Sequence, residues 1–590
     1  MRAIFSLLCL GLGCAVIVGA CGGGNKEGGF ANDGGGGNDG ASSSGGSSGG
    51  SGSSSGSLVG DGAASEAGLT GDPTTCAEAT NSHSYIGCDY WPTVTANNVW
   101  STFDFAVVVA NAGATAATIT VTGPGNTNQP ATVAPGQLTK IYLPWVSVLK
   151  GTDFDACTAS KGLASSVLAR SAAYHLVSSV PVTVYQFNAL EYAPQGGPAG
   201  KNWGSCPGTV QACPITEGGN GSPIGCFSFS NDASLLLPST AMTGNYRVTG
   251  HEGWGIATIG GYMTVTATQN NTTLNVKVST TGQIAAGGGI PATPAGGTLT
   301  LSMGAGDVVE LAGGSADASD LSGSLVQASA PVQVITGMPC LNVPDSASAC
   351  DHVEESNFPA ETLGQDYVVA QPAGPEGNAV GHEVRIYGNF DGTQLTYSPA
   401  APPNCPTSIN AGQVVECGTP ITNKCTDPNT GLPDASCGPG NIVTSDFEVK
   451  GTQAFAVATF SQGASLVDPS TQPPNQQGDP DESMVVATAQ YRVKYVFLAP
   501  DDYETSYIVV VEPAGTALTL DGQPASTAPT PVGSNGYGVA RIKLGAGNGG
   551  AHVLTASNPV GLQVMGYGAY TSYTYPGGLD LKYISPPPAN

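Results

Sequence analysis

Apolar and polar positions alternate with a period of two through most of the chain. In Leu274-Asn275-Val276-Lys277-Val278 the apolar side chains fall on one face and the polar ones on the other. Tyr491-Arg492-Val493-Lys494-Tyr495-Val496-Phe497 gathers Tyr491, Val493, Tyr495 and Phe497 on one side. Successive side chains of a strand point to opposite faces, so the pattern predicts half-buried antiparallel strands. Turn signals at Asp391-Gly392, Asp521-Gly522 and Pro513-Ala514-Gly515 punctuate them. No long amphipathic helix is legible, and the expected fold class is all-β.

The strands recur as a module. Each copy starts with a Thr-rich strand: Ala117-Thr118-Ile119-Thr120-Val121, Thr273-Leu274-Asn275-Val276, Thr393-Gln394-Leu395-Thr396-Tyr397 and Thr516-Ala517-Leu518-Thr519-Leu520. A Gly turn follows, at Gly136, Gly306, Gly412 and, in the fourth copy, Gly545-Ala546-Gly547. The copy closes on a Ser-x-Pro-Val strand at Ser179–Val182, Ser329–Val332 and Ser557–Val560, where the third copy has Gly451-Thr452-Gln453-Ala454-Phe455 without Pro. A Pro at the first residue of a strand costs no ladder hydrogen bond. The expected architecture is a series of tandem antiparallel β-sandwich-like modules, at roughly 76–238, 239–339, 340–465 and 484–585. A β-propeller-like closure is the alternative, since radial repetition also protects strand edges.

Two stretches ahead of the modules break the pattern. Arg2 followed by an apolar run from Ile4 to Val18 has the length of a signal peptide and is short for a membrane span. It ends in Val18-Gly19-Ala20-Cys21, which is similar to a bacterial lipobox. That similarity implies cleavage before Cys21 and a multiply acylated Cys21 in the lipid bilayer, since one acyl chain alone anchors weakly. Ordinary secretion with cleavage after Ala20 is the competing reading. Residues 1–20 are thus expected to be a lipoprotein signal peptide. Residues 21–75 are expected to be the lipidated cysteine and a Gly/Ser-rich disordered tether, which cannot bury enough apolar surface to offset its ordering entropy. Its 50-odd residues span on the order of 40 Å. Gly rather than Asp after Cys21 favours the outer membrane.

Composition narrows the function. Only 10% of residues are charged, and the net charge of −26 leaves 17 Lys and Arg in 590 residues. A nucleic-acid partner is not expected, because phosphate binding needs clustered cations. Beyond Cys21 the exported part carries Cys76, Cys88, Cys157, Cys206, Cys213, Cys226, Cys340, Cys350, Cys405, Cys417, Cys425 and Cys437. An even number in an exported chain reads as disulfides. Spacing suggests local pairs, Cys76–Cys88, Cys206–Cys213, Cys340–Cys350, Cys405–Cys417 and Cys425–Cys437, leaving Cys157 and Cys226. Zinc is the alternative, but no Cys-x-x-Cys occurs and the histidines are scattered, so no metal or other cofactor is expected.

Candidate chemistry fails on inspection. His251-Glu252 and His382-Glu383 lack the second His of a zincin helix and read as surface or strand residues. Gly196–Lys201 departs from a phosphate loop at Gln195 and Asn202. Gly545–Gly550 matches GxGxxG, but a strand rather than a helix follows. The acidic pairs Glu354-Glu355 and Asp501-Asp502 read as solvated turns. No catalytic residue is assigned, and the chain is not expected to be an enzyme.

Several motifs resemble the N-terminal domain of the IgG Fc-binding protein family. They are Cys350-Asp351-His352-Val353-Glu354-Glu355, Leu363-Gly364-Gln365-Asp366-Tyr367-Val368-Val369, Gly478-Asp479-Pro480, Tyr495-Val496-Phe497-Leu498-Ala499-Pro500 and the closing Gly566–Gly578. Ser84-Tyr85-Ile86-Gly87-Cys88-Asp89-Tyr90-Trp91 is similar to bacterial, myxobacterial-type lipoprotein members. The resemblance spans most of 76–585. It implies a secreted or surface module associated with binding and mucus-like matrices, with no catalytic residues to carry over. Asp481 follows Gly478-Asp479-Pro480 where the self-cleaving sequence has His, so autoproteolysis is not expected. The expected function is adhesion or binding of an extracellular protein or glycan. A structural envelope or matrix component without a discrete ligand is the alternative. Trp91, Trp145, Trp203 and the Tyr567–Tyr575 run are candidate contact aromatics, with core packing as the competing reading. The Cys-containing insertions at 191–226 and 401–440 are candidate binding loops that add little core.

Overall fold

The computed structural model describes residues 72–588, apart from 154–161, 207–225, 227, 229–230, 255–257, 317–318, 345–346, 348–349, 421–440, 472–474, 501–502, 526–527 and 546–549. Cys21, Cys157, Cys213, Cys425 and Cys437 lie outside the described residues, as do the lipobox and nearly all of the expected tether.

The described body is four copies of one β-sandwich. In the second copy one sheet holds, side by side, Asn245–Arg247, Leu325–Ala328, Thr272–Lys277 and Thr298–Met303. The facing sheet holds Asp351–Ser356, Val332–Leu341, Tyr262–Ala267 and Val308–Ala312. The third copy repeats this order with Asp366–Val369, Phe447–Gly451, Thr393–Ser398 and Ser408–Ile409, facing Glu482–Met484, Phe455–Ser461, His382–Gly388 and Val414–Cys417. In the first and fourth copies one long strand, His175–Phe187 or Ala551–Gly568, runs through both sheets and does the work of two. Alternation sorts the faces as expected along Thr272–Lys277, where Thr272, Leu274 and Val276 are buried while Thr273 and Lys277 are exposed. Along Tyr491–Phe497 it does not: an irregularity in pairing between Arg492 and Lys494 leaves Val493 exposed, while Tyr495, Val496 and Phe497 are all buried. Separate apolar cores fill the first three sandwiches.

Two hydrogen-bond devices recur in all four copies and explain the repeat motif. The first uses the Ser of Ser-x-Pro-Val. Its hydroxyl accepts the backbone N–H of the Thr-rich strand, from Thr118 to Ser179, Thr273 to Ser329 and Ala517 to Ser557, each at 2.9 Å. In the third copy Thr452 takes this place and accepts from Gln394 at 3.0 Å. The second is a buried tyrosine that the sequence reading does not single out. The hydroxyls of Tyr90, Tyr246, Tyr367 and Tyr495 each accept the backbone N–H three residues earlier, from Gly87, Thr243, Gly364 and Arg492. Each donates to a carbonyl on the closing strand, of Val182, Val332, Phe455 and Val560 respectively. The acceptor is always the residue three after the motif's Ser or Thr. Both devices are positioned by the same short segment, which is why Ser-x-Pro-Val is visible in the sequence.

The Gly turns at Gly136, Gly306 and Gly412 all adopt a positive φ, of 68°, 78° and 75°. The fourth-copy turn differs from expectation. The strand equivalent to Val308–Ala312 is Tyr537–Lys543, so its leading turn is Gly533–Gly536, with Gly536 at φ 85°, and not Gly545–Gly547. The chain is so rich in glycine that a neighbouring Gly-x-Gly mimicked the spacing.

The sandwiches close radially. The last strand of each copy, Ala233–Leu236, Asp351–Ser356, Glu482–Met484 and Thr571–Pro576, packs against the last strands of its two neighbours. Sandwich modules and propeller-like closure thus coexist at two scales. The largest core joins the fourth sandwich to this centre through Phe187, Leu235, Met338, Val353, Phe460, Met484, Tyr573 and Tyr575. Neighbours are also stitched at the rim. Val167–Ala169, early in sequence, pairs with Val308–Ala312 of the second sandwich. Residues 83–85 pair with 579–581, where Leu581 N–H donates to His83 at 2.7 Å and Tyr85 N–H to Leu579 at 3.3 Å.

Disulfides join Cys76–Cys88, Cys340–Cys350 and Cys405–Cys417. The fourth, Cys206–Cys226, replaces the expected Cys206–Cys213. Its physical reason is a small satellite core: Cys206 and Cys226 are both buried against Val99, Trp100, Phe103 and Ala189. Packing, rather than the shortest loop, selects the partner.

Candidate functional site

The four inner strands bring together residues far apart in sequence. Asp232, at the entry to the first, is fully buried. One of its carboxylate oxygens accepts the backbone N–H of Glu354 at 2.9 Å and of Glu482 at 3.2 Å, on the second and third inner strands. The other accepts Ala233 N–H at 2.8 Å. Asp351 makes the next join. It accepts the Thr571 hydroxyl at 3.0 Å and Ser572 N–H at 3.4 Å, on the fourth inner strand. The Ser572 hydroxyl donates to the backbone carbonyl of Asp479. Where four strands meet without a shared ladder, their inward N–H groups need other acceptors, and these aspartates supply them.

More carboxyls crowd the same centre. Glu354 accepts from the Thr95 hydroxyl at 2.5 Å and from the Gln186 amide at 3.2 Å. Asp481 accepts from Ser461 at 2.7 Å. Glu355 and Glu482 are buried beside them. Glu354 and Glu355 therefore sit inside the molecule and not in a solvated turn. The pattern DHVEES alternates poorly, and only its position at the axis explains six consecutive buried residues. Burial pushes the Asp481 carboxyl up to about 6, Glu354 to about 7 and Glu482 to about 8. Burial and the neighbouring Asp481 charge hold Asp232 well above the usual carboxylate range. Glu482 also feels His251 and Arg385, which oppose the rise. Next to it, His251 meets Glu383 at 3.1 Å and Arg385 meets Asp320 at 2.6 Å, bridging the second and third sandwiches. Among the described residues no group of three or more His, Cys, Asp or Glu is placed to hold a metal ion.

The candidate aromatics do not form one face. Tyr567, Tyr573 and Tyr575 are fully buried in the central core. Trp145 and Trp203 pack on the satellite core beside Cys206–Cys226, under Lys150 and Lys201 at 5.3 and 4.9 Å. Trp91 lies in the core of the first sandwich, against which Trp145 also packs. The flanks of the 191–226 insertion also contribute packing, since Tyr192 is buried and Glu191 accepts from Tyr142 at 2.5 Å and from Gly197 N–H at 3.0 Å.

The profile of the IgGFc binding protein family matches residues 232–566, more than half of the chain. The chain belongs to the IgGFc-binding protein family. The match begins at Asp232, runs through the second and third sandwiches and ends within the long strand Ala551–Gly568 of the fourth, so it includes the axial carboxylates. No curated protein matches the chain. A solved structure, described as the tetra-tandem repeat in the extending region of a large adhesion protein, aligns at 13% identity over 84% of this chain and 99% of its own, with a TM-score of 0.08. That score is too low for a structural comparison. The family is one of binding proteins, and the four disulfides fit a secreted or extracellular setting. No described helix is long and apolar enough to cross a membrane.

Proposed function

We propose that this chain is a surface binding protein, held to the outer membrane by an acylated Cys21 and engaging a protein or glycan component outside the cell. The observation that carries the reading is family membership over 232–566. The architecture supports it: a closed ring of four sandwiches, the first three stapled by disulfides, is a rigid scaffold, and rigid scaffolds present binding loops at low ordering cost. The axial cluster serves closure in this reading, because its carboxyls are buried and Asp232 and Asp351 bond to neighbouring inner strands. The anchor is tested by replacing Cys21 with Ser and fractionating cells. The native chain is expected in the membrane fraction and digested by protease added to intact cells, and the variant is expected to leave the membrane. Unchanged membrane association of the variant overturns the anchor, and protection of the native chain in intact cells overturns the surface placement.

A further inference from the structure

A cleft of about 360 Å³ lies on the seam between the first and second sandwiches, lined by Asp89, Trp91, His175, Ser239, Thr240, Thr268 and Gln269. Its floor is a pair of stacked rings. His175 lies over Trp91 with centroids 4.3 Å apart and planes 14° apart. Asp89 fixes the imidazole through a 2.6 Å contact to Nε2, and both side chains of this pair remain about one-third exposed. Beneath, Trp91 is backed by Gly306, where even a Cβ would stand 3.4 Å from the indole ring.

The repeat shows that the scaffold does not require this pair. The buried tyrosines place the four copies in register: Tyr90 opposite Leu176, Tyr246 opposite Val326, Tyr367 opposite Val449 and Tyr495 opposite Leu554. The residues equivalent to Trp91 are Arg247, Val368 and Val496, and those equivalent to His175 are Leu325, Glu448 and Val553. Three copies build the same corner with no ring there. The aromatic stack is thus an addition to the first sandwich, placed where a neighbour's Ser239 and Gln269 can join it.

We infer that this cleft is a subsite for a neutral saccharide. The ligand class follows from the lining. Trp91 is buried between His175 and Gly306, so the ring face turned to the cleft is that of the His175 imidazole, held flat and rigid by the indole beneath and by Asp89, and such a face suits a sugar ring. A carboxylate, hydroxyls and an exposed amide at the rim suit its hydroxyl groups, as in small-molecule sites that combine apolar floor with few polar anchors. No Lys or Arg lines the cleft, so an anionic ligand would find no counter-charge. The inference rests on the surface-binding reading and specifies its ligand.

Affinity electrophoresis tests it, with the detergent-solubilised full chain run in native gels cast with dextran, laminarin or glucomannan, and with alginate as the anionic comparison. Retardation by at least one neutral polysaccharide and none by alginate is expected. His175→Ala and Gln269→Ala should each weaken that retardation at least tenfold with an unchanged unfolding temperature. Asp89→Asn, which keeps the shape of the pair, is the second variant should His175→Ala fail to fold, and is expected to weaken it likewise. No retardation by any neutral polysaccharide overturns the inference, as does equal retardation of the native chain and the folded variants, or retardation by alginate alone. Capture of envelope and matrix components by the same proteins separates the two claims: unchanged capture without polysaccharide retardation removes the saccharide subsite and leaves the binding reading standing.

Discussion

At the scale of single residues, the four buried tyrosines carry the repeat more strictly than the motif that reveals it. Each hydroxyl both accepts and donates a backbone hydrogen bond in an apolar interior. Removing it strands an N–H and a carbonyl, whose desolvation is not repaid. Tyr367→Phe should therefore cost about 1–3 kcal/mol, measured by denaturant unfolding. Ser329→Ala removes an acceptor near the surface, where water can substitute, and should cost no more than about 1 kcal/mol. Equal costs would mean that the tyrosine corner is not the stronger device. The Ser was legible because Pro follows it at fixed distance. The tyrosine was not, because Tyr491 and Tyr495 share one apolar face and nothing in a period-two pattern marks which hydroxyl is buried with partners. Cys206 shows the same limit: spacing favours Cys213, and only the satellite core around Phe103 identifies Cys226.

At the scale of elements, strands were legible wherever one face is buried and the other wet, as in Thr272–Lys277 and Ala117–Gly123. They were illegible at the axis, where both faces are buried and alternation vanishes. Glu354 and Glu355 look solvated in sequence because two adjacent carboxylates rarely lie in a core. The fourth Gly turn was misplaced for a different reason, and substitution separates the two candidates. Gly536 holds φ 85°, which an L side chain resists, so Gly536→Ala should destabilise by about 1 kcal/mol or more. Gly545 has open space around its Cβ position and no positive φ, so Gly545→Ala should be near neutral. The reverse order in thermal unfolding would restore the original assignment. At the inner strands, Asp232→Ala leaves the Ala233, Glu354 and Glu482 N–H groups without their acceptor. It should cost about 3–5 kcal/mol, counting three buried donors. A loss below about 0.5 kcal/mol would show that the axis is not held by this carboxylate.

At the scale of the whole molecule, the axial carboxyls give stability a particular pH dependence. Their folded pKa values lie above the unfolded values near 4, so the folded state binds more protons between the two. The stabilisation they provide is full below about pH 4 and is lost as pH rises through about 6 to 8, following Asp481, Glu354 and Glu482. His251 acts in the same direction: burial lowers its pKa, but Glu383 outweighs that and raises it to about 10, so its contribution fades toward alkaline pH. Opposing them, His352 and His382 are pushed down to about 3 by burial, and their contribution is lost as pH falls below about 6. The unfolding temperature should therefore be highest near pH 5 to 6 and fall by pH 9. A rise between pH 6 and 9 would contradict this balance.

Closure also bears on what the body is for. Buried carboxylates and rim pairing hold the four sandwiches in one ring, and disulfides staple the first three, which suits a surface presented in one shape. The measurement that tests this most directly is saturation binding of the labelled, detergent-solubilised full chain to intact cells and extracellular matrix material. The account predicts saturable binding, competed by unlabelled chain and lost when the chain is unfolded. Binding that rises linearly with concentration and ignores competitor would contradict it.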